Sequence, residues 1–215
     1  MSRAWARWGQ ALGVIGATVL LHELAHAAVA RRVGGEVREV GLGFGPPLAR
    51  ARLGGVTVSV RPVPVGGFAA IDVDRLPPAR RIPVLLAGPL ANVAAGLVLR
   101  ALGDRRAPDA LPGQERVVEV GGLLAALAML SRAAGAGPAA LARTAGMVNL
   151  SVGLANLLPV LPLDGGHLAV ARLEAAGVSP TARRWFRQIT VGLFLWLAVR
   201  VLLNDLARLA RASRA

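Results

Sequence analysis

The sequence contains no cysteine and no lysine. Without cysteine the chain can form neither a disulfide bridge nor a thiolate metal site, so any metal ion must be bound by histidine and carboxylate side chains. The 25 basic residues are all arginine and give a formal net charge of +13. This charge does not favour nucleic acid as a partner, because most arginines flank apolar runs, as residues beside membrane spans do.

Charged residues are missing from several long stretches of the chain, which is 54% hydrophobic. About 20 apolar residues are enough for a helix to cross the hydrocarbon of a bilayer. The sequence therefore predicts a multi-pass α-helical membrane protein that forms a single domain over residues 1–215. We expect four transmembrane helices, over residues 9–30, 82–99, 144–163 and 188–203. The first run contains histidine and glutamate and lacks a small-residue cleavage context, so we interpret it as a retained span and not as a signal peptide.

Two shorter segments have a different pattern. Between the first two spans, valine alternates with polar residues and glycine is frequent, which predicts a small antiparallel β-sheet over residues 36–71 with a hairpin between 48–53 and 56–62. Pro62 and Pro64 indicate that the last strand is an edge, followed by an exposed, strand-like loop over residues 64–68. The alternative, which stays open here, is that the glycines of this segment only form turns. The apolar run 117–130 is too short to cross a bilayer and predicts an interfacial or re-entrant helix.

The motif His22-Glu23-Leu24-Ala25-His26 lies inside the first apolar run. Histidines four residues apart lie on one face of a helix, one turn apart, so that both imidazoles can bind one metal ion. Glu23 can then act as general base toward a metal-bound water. Two other interpretations remain open for this motif alone: a core helix with two satisfied histidines, and a chance match.

A candidate third ligand, Asp164, follows the third predicted span. Pro159 and Pro162 cannot both lie in one regular helix, so the helix should unwind before Asp164. Gly165-Gly166 would allow the backbone to approach another segment closely. The second span contains Asn92, which we assign to helix–helix packing in preference to chemistry.

The distribution of arginine predicts the topology. Segment 31–81 carries nine arginines against four acids, segment 171–187 carries four against one, and segment 101–143 carries five against four. By the positive-inside bias, the first two segments lie in the cytoplasm. His26 and Asp164 then come together near the cytoplasmic side of the membrane.

Several motifs together give the chain a resemblance to a known family. They are His22–His26, Gly41–Gly45, Val65–Phe68, Ala87–Asn92 and Asn156–His167. In this order they resemble the site-2 protease family of intramembrane zinc metalloproteases, and most closely the bacterial enzymes of regulated intramembrane proteolysis that cleave membrane-anchored anti-sigma factors.

The resemblance implies a role for each matching residue. His22, His26 and Asp164 would bind one zinc ion, and Glu23 would be the catalytic acid and base. Asn156 would contact substrate or stabilise the oxyanion, and a loop with Gly66 and Gly67 would hold substrate as an added strand.

The resemblance also implies a setting. The enzyme would lie in the inner (cytoplasmic) membrane, contact lipid, bind no nucleic acid, and cleave a membrane-anchored substrate such as an anti-sigma factor or another single-span protein. The interval 101–144 is too short for the PDZ domain that many relatives carry there, so the chain would be a minimal form. The alternative is a non-proteolytic zinc-binding membrane protein or an ion transporter that uses the same His/Asp site. The chain lacks the internal repeats that are typical of transporters.

Overall fold

The computed structural model describes residues 2–106 and 122–212. The helices are α1 (Ser2–Arg32), α2 (Pro78–Arg106), α3 (Leu123–Ala136), α4 (Pro138–Asn156), α5 (Asp164–Ala175) and α6 (Pro180–Ala212), with a short 3-10 helix at Val73–Arg75. Among the described residues, three helical segments are long and apolar enough to cross a membrane: Arg3–Arg32, Ala79–Arg105 and Pro180–Ala207. They contain the predicted spans 9–30, 82–99 and 188–203. Their length and composition are those of a multi-pass membrane protein.

The third predicted span, 144–163, is not one continuous helix. Helix α4 ends at Asn156, residues 157–163 form turns, and α5 begins at Asp164. The break that Pro159 and Pro162 predict is therefore confirmed. Helix α4 is not one of the three candidate spans found in the described part of the chain.

The sheet has four strands: β1 (Val37–Phe44), β2 (Ala49–Leu53), β3 (Val56–Val60) and β4 (Val63–Ile71), in the order β2-β3-β1-β4. The predicted hairpin is confirmed, since β2 and β3 are antiparallel with Leu53 opposite Val56. The prediction of a wholly antiparallel sheet is wrong, because β1 and β3 are parallel, with Val40 opposite Val58. The sheet is therefore mixed.

The predictions of an edge strand over residues 56–62 and of a loop over residues 64–68 are also wrong, since β3 lies between β2 and β1. Residues 64–68 belong to β4, which pairs antiparallel with β1 and forms one edge of the sheet. Pro62 and Pro64 have no N–H to donate, so the chain after β3 cannot continue as an interior strand. It crosses instead to the far side of β1, and this crossing makes β1 and β3 parallel.

The sheet packs on the C-terminal half of α1. Val40 and Ala30 are fully buried in this contact, and Ala27 and Val56 are nearly so. Gly67 of β4 is a close contact, because a Cβ at this position would lie 2.6 Å from Cγ1 of Val19. The contact places β4 directly beside the histidine motif of α1.

Helices α2 and α4 pack through glycines. A Cβ on Gly96 would lie 2.8 Å from the carbonyl oxygen of Gly146, and a Cβ on Gly146 would lie 2.8 Å from that of Gly96. Small residues of this kind let the backbones of membrane helices approach closely. The contact holds α4, and hence the turn that leads to Asp164, against the helix that also contacts the histidines.

The predicted short helix 117–130 is shifted in the structure. Helix α3 runs from Leu123 to Ala136 and packs on α1 and α4 around the fully buried Leu130. Residues 117–121 lie outside the described residues. At 14 residues, α3 is apolar but shorter than a span.

Candidate active site

The two histidines of the motif lie one turn apart on the buried face of α1. Both side chains are almost completely buried, and Nε2 of His22 lies 3.1 Å from Nε2 of His26. The helical spacing of four residues produces this arrangement, as the sequence predicts.

Asp164 reaches the histidines from the first residue of α5. Its Oδ2 lies 2.9 Å from Nε2 of His22 and 3.2 Å from Nε2 of His26. The two glycines that follow allow this approach, since a Cβ on Gly166 would lie 2.5 Å from the backbone nitrogen of Leu161. The turns after α4 and the start of α5 therefore pack backbone to backbone, and Asp164 is held at their junction.

Hydrogen bonds on the far side of each ring set the orientation of the histidines. Nδ1 of His26 donates to the carbonyl oxygen of Val84, 2.6 Å away. A carbonyl can only accept, so the neutral ring of His26 keeps its lone pair on Nε2. Nδ1 of His22 lies 3.1 Å from the amide nitrogen Nδ2 of Asn92, which is fully buried.

Sequence reasoning missed this use of α2. Asn92 was assigned to helix packing, whereas the structure places its amide on a ring of the histidine pair. The available signal was the isolated polar side chain in an apolar helix, which needs a partner. The contact of His26 with the Val84 carbonyl could not be predicted from the sequence, because every residue has a backbone carbonyl group.

Gly88 lies beneath both rings. A Cβ at this position would lie 2.7 Å from Nε2 of His22 and closer still to Nε2 of His26. Gly88 and Asn92 are four residues apart, so they share one face of α2. The absence of a side chain at residue 88 keeps the space between the histidine nitrogens open.

The three side chains fit a zinc ion. His22, His26 and Asp164 offer one ligand atom each, and these atoms lie within 4.8 Å of one another. Ligands at about 2.0–2.2 Å in a tetrahedral zinc site lie roughly 3.3–3.6 Å apart, slightly more than the 2.9–3.2 Å separations here. Two nitrogens and a carboxylate oxygen are ligands that zinc prefers. The lone pair on Nε2 of His26 faces Nε2 of His22 and Oδ2 of Asp164, so that a cation or a proton is needed between these atoms.

A cavity of about 470 Å³ opens beside this cluster. Glu23, His26 and Asp164 line this cavity together with residues of β4, α2, α5 and α6. At the wall, Glu174 of α5 pairs with Arg81 of α2 at 3.4 Å and with Arg183 of α6 at 3.6 Å. The cavity therefore has the Glu23 carboxylate beside the histidine motif, and the charged side chains of Arg81 and Glu174 in its wall.

Strand β4 lies along the cavity, with Gly67 and Phe68 in the lining. The Phe68 ring lies against Gly41, and the Arg61 guanidinium lies over the ring, 4.7 Å from its centre. Arg61 donates to Glu39 at 2.8 Å. Hydrogen bonds from Ser59 and Arg61 lower the pKa of Glu39, which keeps this carboxylate charged and Arg61 in place.

The remaining predicted site residues lie at different distances from the cluster. Gly66 has a φ of +88°, a conformation that favours glycine, and lies in β4 next to Gly67. Asn156 ends α4 and donates from its side-chain amide to the carbonyl oxygen of Val152, 2.9 Å away. It is not among the described residues that line the cavity. His167 lines the cavity one turn after Asp164.

Comparison with known proteins assigns the family. A sequence model of peptidase family M50 matches residues 10–106 and 108–199. The chain belongs to peptidase family M50. The match includes α1 with its histidines, the sheet and the turn to Asp164, and it confirms the resemblance that the motifs indicate.

Individual relatives match a smaller part of this M50 chain. Zinc metalloprotease Rip1 of Mycobacterium bovis is 41% identical over 98 residues, which cover 38% of this chain and 24% of that protein. Rip1 of Mycolicibacterium smegmatis is 39% identical over 102 residues, covering 38% of this chain and 25% of that protein. The chain thus aligns with about a quarter of the length of these relatives.

A solved structure shares the fold. The site-2 protease from Methanocaldococcus jannaschii matches with a TM-score of 0.51 and 22% identity, over 91% of this chain and 67% of that chain. The family match from the sequence is therefore consistent with the fold match to a site-2 protease.

Proposed function

We propose that this chain is an intramembrane zinc metalloendopeptidase that cleaves membrane-anchored proteins. The observation that carries the proposal is the convergence of His22, His26 and Asp164 on one point, beside a cavity that Glu23 also lines. Membership of peptidase family M50 supports it. An ionisable cluster on an apolar helix is costly and is retained where it has a function.

His22, His26 and Asp164 would hold the zinc ion, which would supply a Lewis acid for water activation and for stabilising negative charge. Glu23 would accept a proton at its carboxylate and later deliver it to the leaving amine. Val84 and Asn92 would keep the two imidazole rings oriented, and Gly88 would keep the space between them open. The side-chain amide of Asn156 would contact the substrate or the developing oxyanion, after giving up its bond to Val152.

The edge of β4 would hold the substrate. Transmembrane helices bond all of their own backbone groups, so a substrate helix must be opened locally before it is cleaved. An edge strand presents unpaired N–H and C=O groups, and an extended peptide can pair with them. Gly66 and Gly67 lie on this strand, and Gly67 also lines the cavity with Glu23, which supports a binding role for the strand.

Helix α4 would serve as a fourth span in the membrane. Its 19 residues approach the length of a span, and its polar side chain Asn149 is buried against α1 rather than facing lipid. The arginine-rich segments 31–81 and 171–187 would lie in the cytoplasm, which places the site near the cytoplasmic side of the inner membrane. A membrane-anchored anti-sigma factor would be a suitable substrate for an enzyme in this position.

Substitution of Glu23 by glutamine tests the function. In proteoliposomes with a single-span substrate, E23Q should bind zinc normally but cleave about 10²- to 10⁴-fold more slowly than the wild-type protein. E36Q is the matched control, because Glu36 is exposed, precedes β1 and pairs with Arg38. Full activity of a zinc-loaded E23Q protein would overturn the role of Glu23. Ion flux without cleavage by the wild-type protein would support the transporter alternative.

A further inference from the structure

Helices α1, α2 and α4 enclose a second group of polar side chains behind His22. Thr18, Asn92 and Asn149 are each at most 3% exposed, in a region otherwise filled by apolar residues. Buried polar groups without partners are costly, so each polar atom of this group is expected to have a hydrogen-bond partner.

The orientation of Asn149 is determined by two acceptors. Its Nδ2 donates to the carbonyl oxygen of Ala145 and to Oγ1 of Thr18, both at 2.9 Å. The hydroxyl of Thr18 donates in turn to the carbonyl oxygen of Val14, also at 2.9 Å. Because a backbone carbonyl can only accept, Oδ1 of Asn149 must point away from Ala145.

Two amide oxygens are left without a donor among the described residues. They are Oδ1 of Asn149 and Oδ1 of Asn92, both inaccessible to solvent. Asn149 bonds to Thr18 and Asn92 bonds to His22, and these two partners are four residues apart on α1, which is about 6 Å along the helix axis. The contact between α2 and α4 brackets both residues, since a Cβ on Gly153 would lie 3.1 Å from the backbone nitrogen of Val93 and a Cβ on Gly96 would lie 2.9 Å from that of Leu150.

Rotation of the Asn92 amide would turn both oxygens toward donors. In the structure Nδ2 of Asn92 faces Nδ1 of His22. The rotated amide turns Oδ1 toward His22, where it accepts a hydrogen bond from Nδ1–H. Its NH₂ group then faces the junction and can donate to Oδ1 of Asn149, directly or through one buried water. Each side chain in the series then donates to the next, in one direction from His22 to the carbonyl oxygen of Val14.

We propose that Asn149 and Thr18 are positioning residues that hold His22 in the form with the proton on Nδ1. We call the series His22, Asn92, Asn149 and Thr18 the buried relay. Its effect is to leave the lone pair on Nε2, the atom that faces His26 and Asp164. The relay rests on the proposed function, since this lone pair matters only if His22 binds a metal ion. The orientation with Nδ2 of Asn92 toward Nδ1 of His22, as the structure has it, would place the proton on Nε2 and prevent binding through that atom.

The test is NMR spectroscopy of the zinc-loaded full chain in detergent micelles, with ¹⁵N-labelled histidine. The relay predicts an Nδ1–H proton on His22 that exchanges slowly with solvent. T18V and N149L should each accelerate this exchange and weaken zinc binding by about tenfold, the lower end of the effect known for partners of metal ligands. T18S retains the hydroxyl and should restore both properties.

His26 is the internal control, because its Nδ1–H is held by the Val84 carbonyl and not by the relay. Its signal should be unchanged in T18V and N149L, and loss of both histidine signals would mean that the fold and not the relay was damaged. In that case the comparison of T18S, which keeps the hydroxyl group, with T18V, which replaces it by a methyl group, tests the relay: the His22 signal should return in T18S and not in T18V. Unchanged exchange and zinc affinity in a folded T18V protein would overturn the relay alone. A wild-type protein that binds no zinc, or whose His22 ring is protonated on Nε2 in the presence of zinc, would overturn the proposed function as well.

Discussion

Nε2 of His22 lies 2.9 Å from Oδ2 of Asp164, although the two residues are 142 positions apart in the chain. The contact joins the middle of α1 to the first residue of α5. It depends on the break after α4, which turns the chain back toward α1. The candidate site therefore forms only when α1, the turns after α4 and the start of α5 pack together.

The first prediction concerns this contact. D164N should lower zinc affinity by more than about 100-fold, because even the hydrogen-bond partners of zinc ligands are worth about 10- to 100-fold. Competition with a chelator of known affinity measures the effect. D104N is the control, since Asp104 is an exposed acid at the other end of α2. Equal zinc affinity in D164N and the wild-type protein would exclude Asp164 as a ligand.

The second prediction concerns the space beneath the histidines. G88A should weaken zinc binding strongly, because the added Cβ would lie 2.7 Å from Nε2 of His22 and displace the rings. The control G13A adds the same methyl group to α1, where nothing lies within 4 Å. Zinc titration of the two purified proteins compares them. If G88A binds zinc as tightly as G13A, the ligand atoms do not meet at this point.

The third prediction concerns the packing of α2 against α4. G96A should lower the free energy of unfolding by about 1–3 kcal/mol, the usual cost of overpacking, since its Cβ would lie 2.8 Å from the Gly146 carbonyl oxygen. Thermal unfolding in detergent measures the change. G192A, where nothing lies within 4 Å, should be neutral or stabilising by comparison. A G96A protein as stable as G192A would mean that the two helices are not in close contact.

The fourth prediction separates substrate binding from metal binding. G67A should raise the KM for a single-span substrate and leave zinc affinity near that of the wild-type protein. The added Cβ would lie 2.6 Å from Cγ1 of Val19 and 2.8 Å from the Gly41 carbonyl oxygen, so that β4 must move away from α1. Steady-state cleavage and zinc titration on one preparation give both quantities. Loss of zinc with an unchanged KM would contradict a binding role for β4.

The sequence predicted the parts of the site that depend on local rules. Helical periodicity was enough to place His22 and His26 on one face. The two prolines and two glycines around Asp164 were enough to predict a break and a close backbone approach. The family resemblance added the pairing of these two distant motifs.

The parts that were wrong or missed depend on contacts between distant segments. Local alternation identified the hairpin of β2 and β3, but the position of β4 beside β1 is a non-local pairing that follows from packing on α1. The bond between Asn92 and His22 arises only when α2 is docked on α1. No periodicity within either helix contains that information.

Cleavage in proteoliposomes, measured before and after zinc removal, tests the central claim most directly. The purified wild-type protein should cut a single-span substrate, stop when a chelator removes zinc, and resume when one equivalent of zinc per chain is returned. Cleavage that continues at full rate after complete removal of zinc would contradict the assignment of His22, His26 and Asp164 as the ligands of a catalytic metal ion.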